Sequence, residues 1–240
     1  MNLNLKKTNT SGNVIDSEKY GNACFRITAV DNATINDART QVIKYLNDFS
    51  LTIKPTNINK NSFKLKLEEI SVPKYHIGLP EEGITLTVTY IEDGSVTGID
   101  AGSYNKYFEF SNGKTGIIKV KNQKSIILNL EKQSFDGATG LGNAEIQIYD
   151  TDGTKIDGLK RNYGGGIWGL ESENNGKFGE IEIKPANYDA GKVTIKVKEV
   201  KAPSGYFSIN GEIELTISYD KNSGAVTNVE VPSEYQKYIK

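Results

Sequence analysis

Ile84-Thr85-Leu86-Thr87-Val88-Thr89-Tyr90 returns late in the chain as Ile213-Glu214-Leu215-Thr216-Ile217-Ser218-Tyr219. In each stretch the apolar residues fall on every second position, which puts them on one face of an extended strand. The same alternation runs through Phe63-Leu65-Leu67, Ile118-Val120 and Val193-Ile195-Val197. Turn sequences such as Glu92-Asp93-Gly94, Ser111-Asn112-Gly113 and Asn174-Asn175-Gly176 punctuate these runs. Short alternating strands with frequent turns predict an all-β protein of the sandwich type. One stretch departs from this period. From Ile35 to Leu46, Ala38, Val42, Tyr45 and Leu46 fall at helical spacing behind Asn36 as a cap, predicting a short helix inserted in the first half.

The recurrence extends beyond that pair. Asn2-Leu3-Asn4-Leu5-Lys6-Lys7 is echoed by Ile127-Leu128-Asn129-Leu130-Glu131-Lys132. Leu65 to Pro73 is echoed by Ile195 to Pro203, and Tyr104-Asn105-Lys106-Tyr107-Phe108 by Tyr235-Gln236-Lys237-Tyr238-Ile239. The spacing between copies is nearly constant, so the chain reads as two tandem Ig-like or prealbumin-like β-sandwich domains, 1–123 and 124–240. The first copy continues into one more strand, Ile117-Ile118-Lys119-Val120-Lys121-Asn122. Its counterpart in the second copy would fall past Lys240, so the second domain is expected to lack its last strand in this sequence: either the sequence stops short of it, or another chain or segment fills its place.

Composition narrows the function. The 240 residues are 37% hydrophobic and 25% charged, a globular balance without an apolar run long enough to span a membrane. The opening MNLNLKKTNT has no signal-peptide core, so an exported protein would be represented here by its mature part. With 29 basic and 30 acidic residues interspersed, no basic face suggests nucleic-acid binding. One cysteine, Cys24, permits no internal disulfide, and one cysteine with one histidine leaves too little for a structural zinc site. No cofactor is expected, and no convergent catalytic set for an external substrate is visible.

Side-chain parity singles out three polar residues. Leu3 and Leu5 define the inner face of the first strand, and Lys7 continues it. Glu69 continues the face of Phe63, Leu65 and Leu67, and Asn122 that of Ile118 and Val120. The second domain repeats two of these, Lys132 and Glu199. Either residue type alone is commonly a rim salt bridge or a snorkelling lysine. Recurrence in phase with both core faces argues for burial instead. Burial favours a neutral amine, able to act as a nucleophile, and a protonated carboxyl, able to shuttle protons. Beside a carboxamide, such a pair would form a Lys–Asn isopeptide bond and release ammonia, with proximity supplying most of the effect.

Val197-Lys198-Glu199-Val200-Lys201-Ala202-Pro203-Ser204-Gly205-Tyr206 resembles the E-box of Cna protein B-type domains, whose pattern is Glu-x-x-Ala-Pro-x-Gly-Tyr. Glu69 to Tyr75 is similar to a degraded copy, with Val72 for Ala and no Gly. The strands ending in Lys7 and Lys132 resemble the family's first strand, which supplies the reactive lysine. The strand ending in Asn122 resembles its last, which supplies the Asn. The resemblance implies prealbumin-like modules of Gram-positive surface adhesins and sortase-assembled pilins, in which the E-box glutamate catalyses an intramolecular isopeptide bond. It therefore implies a non-enzymatic stalk module, extracellular and cell-wall anchored, with neighbouring domains of the same surface protein as partners. The alternative is a ligand-binding adhesin domain, contacting a host protein or glycan through the Ile35–Leu46 segment or the loop near Trp168.

Overall fold

The computed structural model describes residues 1–44, 48–57, 59–151 and 153–239. The chain divides into two compact units, Met1–Lys124 and Ser125–Lys240. The first contains β1 (Asn2–Asn9), a one-turn helix α1 (Ser17–Tyr20), β2 (Cys24–Asp31), β3 (Ala33–Ile35), β4 (Thr40–Lys44) and β5 (Phe49–Pro55). After these come β6 (Ser62–Ser71), β7 (His76–Ile77), β8 (Ile84–Tyr90), β9 (Val96–Asp100), β10 (Phe108–Ser111) and β11 (Thr115–Lys124). They form two sheets, ordered β10-β11-β1-β5-β3 and β4-β2-β6-β8-β9. Their inner faces bury one continuous core that includes Leu3, Leu5, Phe25, Ile27, Leu51, Ile53, Phe63, Leu65, Leu86, Val88, Ile118 and Val120. The all-β sandwich reading holds.

The second unit contains β12 (Ile126–Glu131), β13 (Glu145–Asp150), β14 (Lys155–Asp157), β15 (Arg161–Gly164) and β16 (Ile167–Glu171). It continues with β17 (Lys177–Lys184), β18 (Lys192–Lys201), β19 (Ile213–Tyr219) and β20 (Val226–Glu230). Its sheets are ordered β12-β17-β14 and β15-β16-β13-β18-β19-β20. This is the first unit's connectivity again: β1-β5-β3 corresponds to β12-β17-β14, and β4-β2-β6-β8-β9 to β16-β13-β18-β19-β20. β15 is an added strand. Among the described residues of the second unit, no strand takes the places of β7, β10 and β11, and β12 pairs with β17 alone.

The helix expected over Ile35–Leu46 is not formed. Ala33–Ile35 and Thr40–Lys44 are strands instead. Asn36 and Asp37 take left-handed backbone angles, φ 47° and 67°, making a tight turn where a helix cap was expected. Beyond that turn the branched Thr40, Val42 and Ile43 favour an extended chain, and pairing along β2 satisfies their backbone. Ile43 is buried and Val42 exposed, a period-two pattern. Tyr45 and Leu46 lie outside the described residues. Among the described residues the first unit's one α-helix is α1, capped by the Asp16 carboxylate, which accepts from the Glu18 and Lys19 amides.

The two opening strands differ in burial. Leu3 and Leu5 on β1 are fully buried between β11 and β5, whereas their counterparts Leu128 and Leu130 on β12 are only partly covered. Truncating a buried leucine costs about 2–5 kcal/mol, and less where the side chain already meets water. Leu5→Ala is therefore expected to lower the denaturant stability of the first unit by about 3 kcal/mol, and Leu130→Ala that of the second by less than half as much. Hydrogen exchange resolved by unit checks this.

Candidate cross-link site

β1 and β11 run parallel, with Lys7 opposite Val120 and Asn9 opposite Asn122. Asn122 thus lies one inward-facing position beyond the residue opposite Lys7. Glu69 arrives from the other sheet, on β6 opposite Phe25. The three side chains meet at one end of the core. Lys7 Nζ is 2.8 Å from Glu69 Oε1, and Asn122 Nδ2 donates to the same oxygen at 3.0 Å. Glu69 Oε2 accepts from the Leu79 amide at 3.0 Å. The amine and the carboxamide therefore share one carboxylate oxygen, and the carboxylate is held in place by main chain from below.

The site is dry. The Lys7 side chain is 2% exposed and that of Glu69 0%, and Asn122 is equally buried. Neither Lys7 Nζ nor Asn122 Oδ1 completes a hydrogen bond of ordinary geometry. Lys7 Nζ sits 5.1 Å from the centre of the Phe25 ring. Burial lowers the Lys7 pKa from 10.5 to about 8, with the Glu69 charge and hydrogen bond pulling the other way. The neutral amine is thus accessible near physiological pH, beside a carboxamide and a carboxyl able to relay protons.

The segment after the E-box closes this end, a feature parity does not reveal. β7 pairs with the end of β11, Ile77 against Gln123 and His76 against Lys124. The His76 ring is buried, with Nδ1 donating to the Lys74 carbonyl at 2.8 Å and the Tyr20 ring edge-on at 5.1 Å. Desolvation lowers its pKa. Lys124 Nζ donates to the Tyr20 hydroxyl at 3.0 Å. The only sequence signal for this lid is that His76 occupies the position of the E-box tyrosine. The missing E-box glycine also has a structural counterpart. Gly205 has φ 83° and Tyr75, at the equivalent place, φ 61°. The turn is thus left-handed in both units, and in the first a bulky residue bears a strain that glycine avoids.

In the second unit Lys132 Nζ lies 3.0 Å from Glu199 Oε1, and Glu199 Oε2 accepts from the Ile209 amide at 2.8 Å. Lys132 is less enclosed than Lys7, at 18% exposure. Asn228, the nearest candidate by sequence for an acceptor, is exposed on β20 opposite Ser218. Trp168 is half-exposed on β16 at the lip of a shallow cleft shared with Ile148, Lys155 and Leu159. No helix among the described residues is long and apolar enough to cross a membrane.

Comparison with known proteins finds a family model for the second unit and distant structural relatives. The model for SpaA, a prealbumin-like fold domain, matches residues 127–232. Among solved structures, a streptococcal ancillary pilin is 14% identical with a TM-score of 0.40, the alignment covering 95% of this chain and 61% of that one. The shaft pilin SpaA from Lactobacillus rhamnosus GG is 13% identical with a TM-score of 0.40, covering 94% and 95%. The C-terminal fragment of the pilus adhesin SpaC from the same organism is 14% identical with a TM-score of 0.33, covering 96% and 84%. The chain spans 61% of the length of the ancillary pilin. No curated protein matches. Residues 127–232, most of the second unit, are thus similar to the SpaA prealbumin-like fold domain.

Proposed function

We propose that the chain is a load-bearing module of a bacterial surface stalk or pilus, whose first domain, over residues 1–123, is locked by an autocatalytic isopeptide bond between Lys7 and Asn122. The observation that carries this reading is the convergence of Lys7 Nζ and Asn122 Nδ2 on Glu69 Oε1 in a water-excluded core. The neutral lysine attacks the Asn122 carboxamide carbon. Glu69 takes the proton lost by the amine and delivers it to the departing nitrogen. A C–N bond forms, another breaks, and ammonia leaves. The event occurs once in each molecule and turns over no substrate.

The bond would tie the first strand to the last. β1 and β11 are adjacent and parallel, so a load applied across them shears their hydrogen bonds all together. A covalent link at the Lys7 end carries that load in place of the ladder, and a chain with a single cysteine has no disulfide to do so. The neighbouring domains of the same surface protein are the partners this role implies. The adhesin alternative would use the cleft beside Trp168 for a host protein or glycan, and it leaves the buried Lys7 and Glu69 without a purpose.

Intact mass tests the bond. The wild-type chain is expected to be lighter than its sequence by one ammonia, with Glu69→Ala and Lys7→Arg at full mass. A wild-type chain at full mass contradicts the reading.

The un-cross-linked state has its own pH signature. In Asn122→Ala no bond can form, and Lys7 remains an amine with a folded-state pKa of about 8 against 10.5 for the free side chain. Between those values the unfolded chain binds the extra proton, so stability rises with pH, by up to about 1.4 kcal/mol per unit. Urea titrations from pH 7 to 10 are expected to show this rise in Asn122→Ala and to lose it when Lys7→Met is added.

A further inference from the structure

The sequence places asparagine directly before glycine three times, at Asn112-Gly113, Asn175-Gly176 and Asn210-Gly211. This pairing carries its own chemistry. The main-chain nitrogen after an asparagine lies within reach of the side-chain carboxamide carbon, and its attack closes a cyclic imide. Glycine resists least, because it has no Cβ to obstruct the approach and the widest choice of backbone angles. Two conditions decide whether a folded chain permits the step. The glycine N–H must be free of a hydrogen bond, and the carboxamide must be free to swing toward it.

The fold withholds both freedoms at the first two sites. Gly113 N donates to the Val96 carbonyl at 2.9 Å, and Asn112 Nδ2 donates to the Thr97 carbonyl at 2.9 Å. Gly176 N donates to the Glu173 carbonyl at 2.8 Å, and Asn175 Oδ1 accepts from the Lys177 amide at 2.9 Å. At the third site neither restraint exists. Among the described residues, nothing bonds the Asn210 side chain or the Gly211 amide, and both residues are exposed. Tyr235 Oη donates to the Asn210 carbonyl at 3.2 Å, which fixes the main chain and leaves the side chain loose.

The turn itself requires the reactive pairing. Gly211 has φ 95°, and a Cβ there would stand 2.5 Å from Tyr235 Oη. Exposure is a property of the loop, because the first unit shows it too. Leu79 and β8 bracket Pro80 to Gly83 as Ile209 and β19 bracket Asn210 to Glu212. There Glu81 and Glu82 are exposed with β11 in place, and Tyr104 Oη donates to Glu82 Oε1 at 3.3 Å.

We propose that Asn210 is a site of spontaneous hydrolytic modification, where the carboxamide is exchanged for a carboxylate through an imide with Gly211. The Gly211 nitrogen attacks Asn210 Cγ and gives up its proton. The Cγ–Nδ2 bond breaks, and ammonia leaves with that proton. Water then opens the imide. Attack at Cγ yields aspartate, and attack at the main-chain carbonyl carbon yields isoaspartate, whose backbone is one methylene longer. One water enters, one ammonia leaves, and no oxidant is needed. Either product adds a negative charge beside Glu212 and next to Ile209, whose amide holds Glu199 Oε2. The modification therefore alters the loop that supports the second unit's enclosed carboxylate. It neither uses nor requires a bond between Lys7 and Asn122.

Peptide mapping by mass spectrometry tests this on the whole folded chain, held in mildly alkaline buffer made with heavy-oxygen water. The peptide containing Asn210 is expected to gain OH in place of NH2, carrying one heavy oxygen, and to separate into aspartyl and isoaspartyl forms. Asn112 and Asn175 are expected to convert at least about tenfold more slowly, since their hydrogen bonds must break first, and to lose that protection in urea. Asn210→Gln removes the product. An Asn210 peptide that stays intact in the folded chain, or equal folded-state rates at the three sites, overturns the proposal. The imide is lighter by the same one ammonia as the cross-linked chain, and the map separates them. An imide deficit lies within the Asn210 peptide, whereas the cross-link joins the peptides of Lys7 and Asn122.

Discussion

An ammonium and a carboxylate withdrawn from water inside a β-sandwich lose several kcal/mol of solvation each, and their attraction repays this only with excellent geometry and further hydrogen bonds. Lys7 and Glu69 are in that position, and their surroundings repay it only in part. Glu69 is well served, by Leu79 N–H on one oxygen and Asn122 Nδ2 on the other. Lys7 has the carboxylate and the Phe25 ring, and its nitrogen is otherwise without a hydrogen bond. Such an arrangement is poor as a stabilising ion pair. It makes sense as a reactive state, because an amine driven toward neutrality by burial ceases to be a costly charge and becomes a nucleophile. In the proposed cross-link a neutral amide would stand where the buried ammonium stood.

The rest of the first unit serves this convergence. Parallel pairing of the first and last strands brings Lys7 and Asn122 side by side from opposite ends of the domain sequence, and the second sheet carries Glu69 in from across the core. The left-handed turn at Tyr75 reverses the chain sharply enough for β7 to pair with the end of β11, where the buried His76 ring packs edge-on against Tyr20. In the second unit Gly205 makes the same turn without strain, yet Phe207 stays in solvent. The turn is common to both units, and in the first it is followed by β7 pairing with β11.

Much of this was legible in the residues. Period two gave the strands, and parity alone put Lys7, Glu69 and Asn122 on inward faces, because a strand admits only two choices of face. Other features were not. Which strands are neighbours, and that β1 and β11 run parallel, follows from tertiary packing that no local pattern records. The Ile35–Leu46 stretch misled because four apolar positions fit a helix by spacing, while branched side chains and two left-handed residues at Asn36 and Asp37 decided for a turn between strands. The lid was invisible because His76 carries no signal by itself. Only its place after the E-box, seen beside the second copy, shows what it covers.

The most direct measurement is a crystal structure of the chain at a resolution that separates bonded from non-bonded atoms. The account predicts unbroken density between Lys7 Nζ and Asn122 Cγ at an amide distance of about 1.33 Å, with no density for the Asn122 side-chain nitrogen. Separate Lys7 and Asn122 side chains at van der Waals distance or beyond, in a protein purified without denaturation, would contradict it.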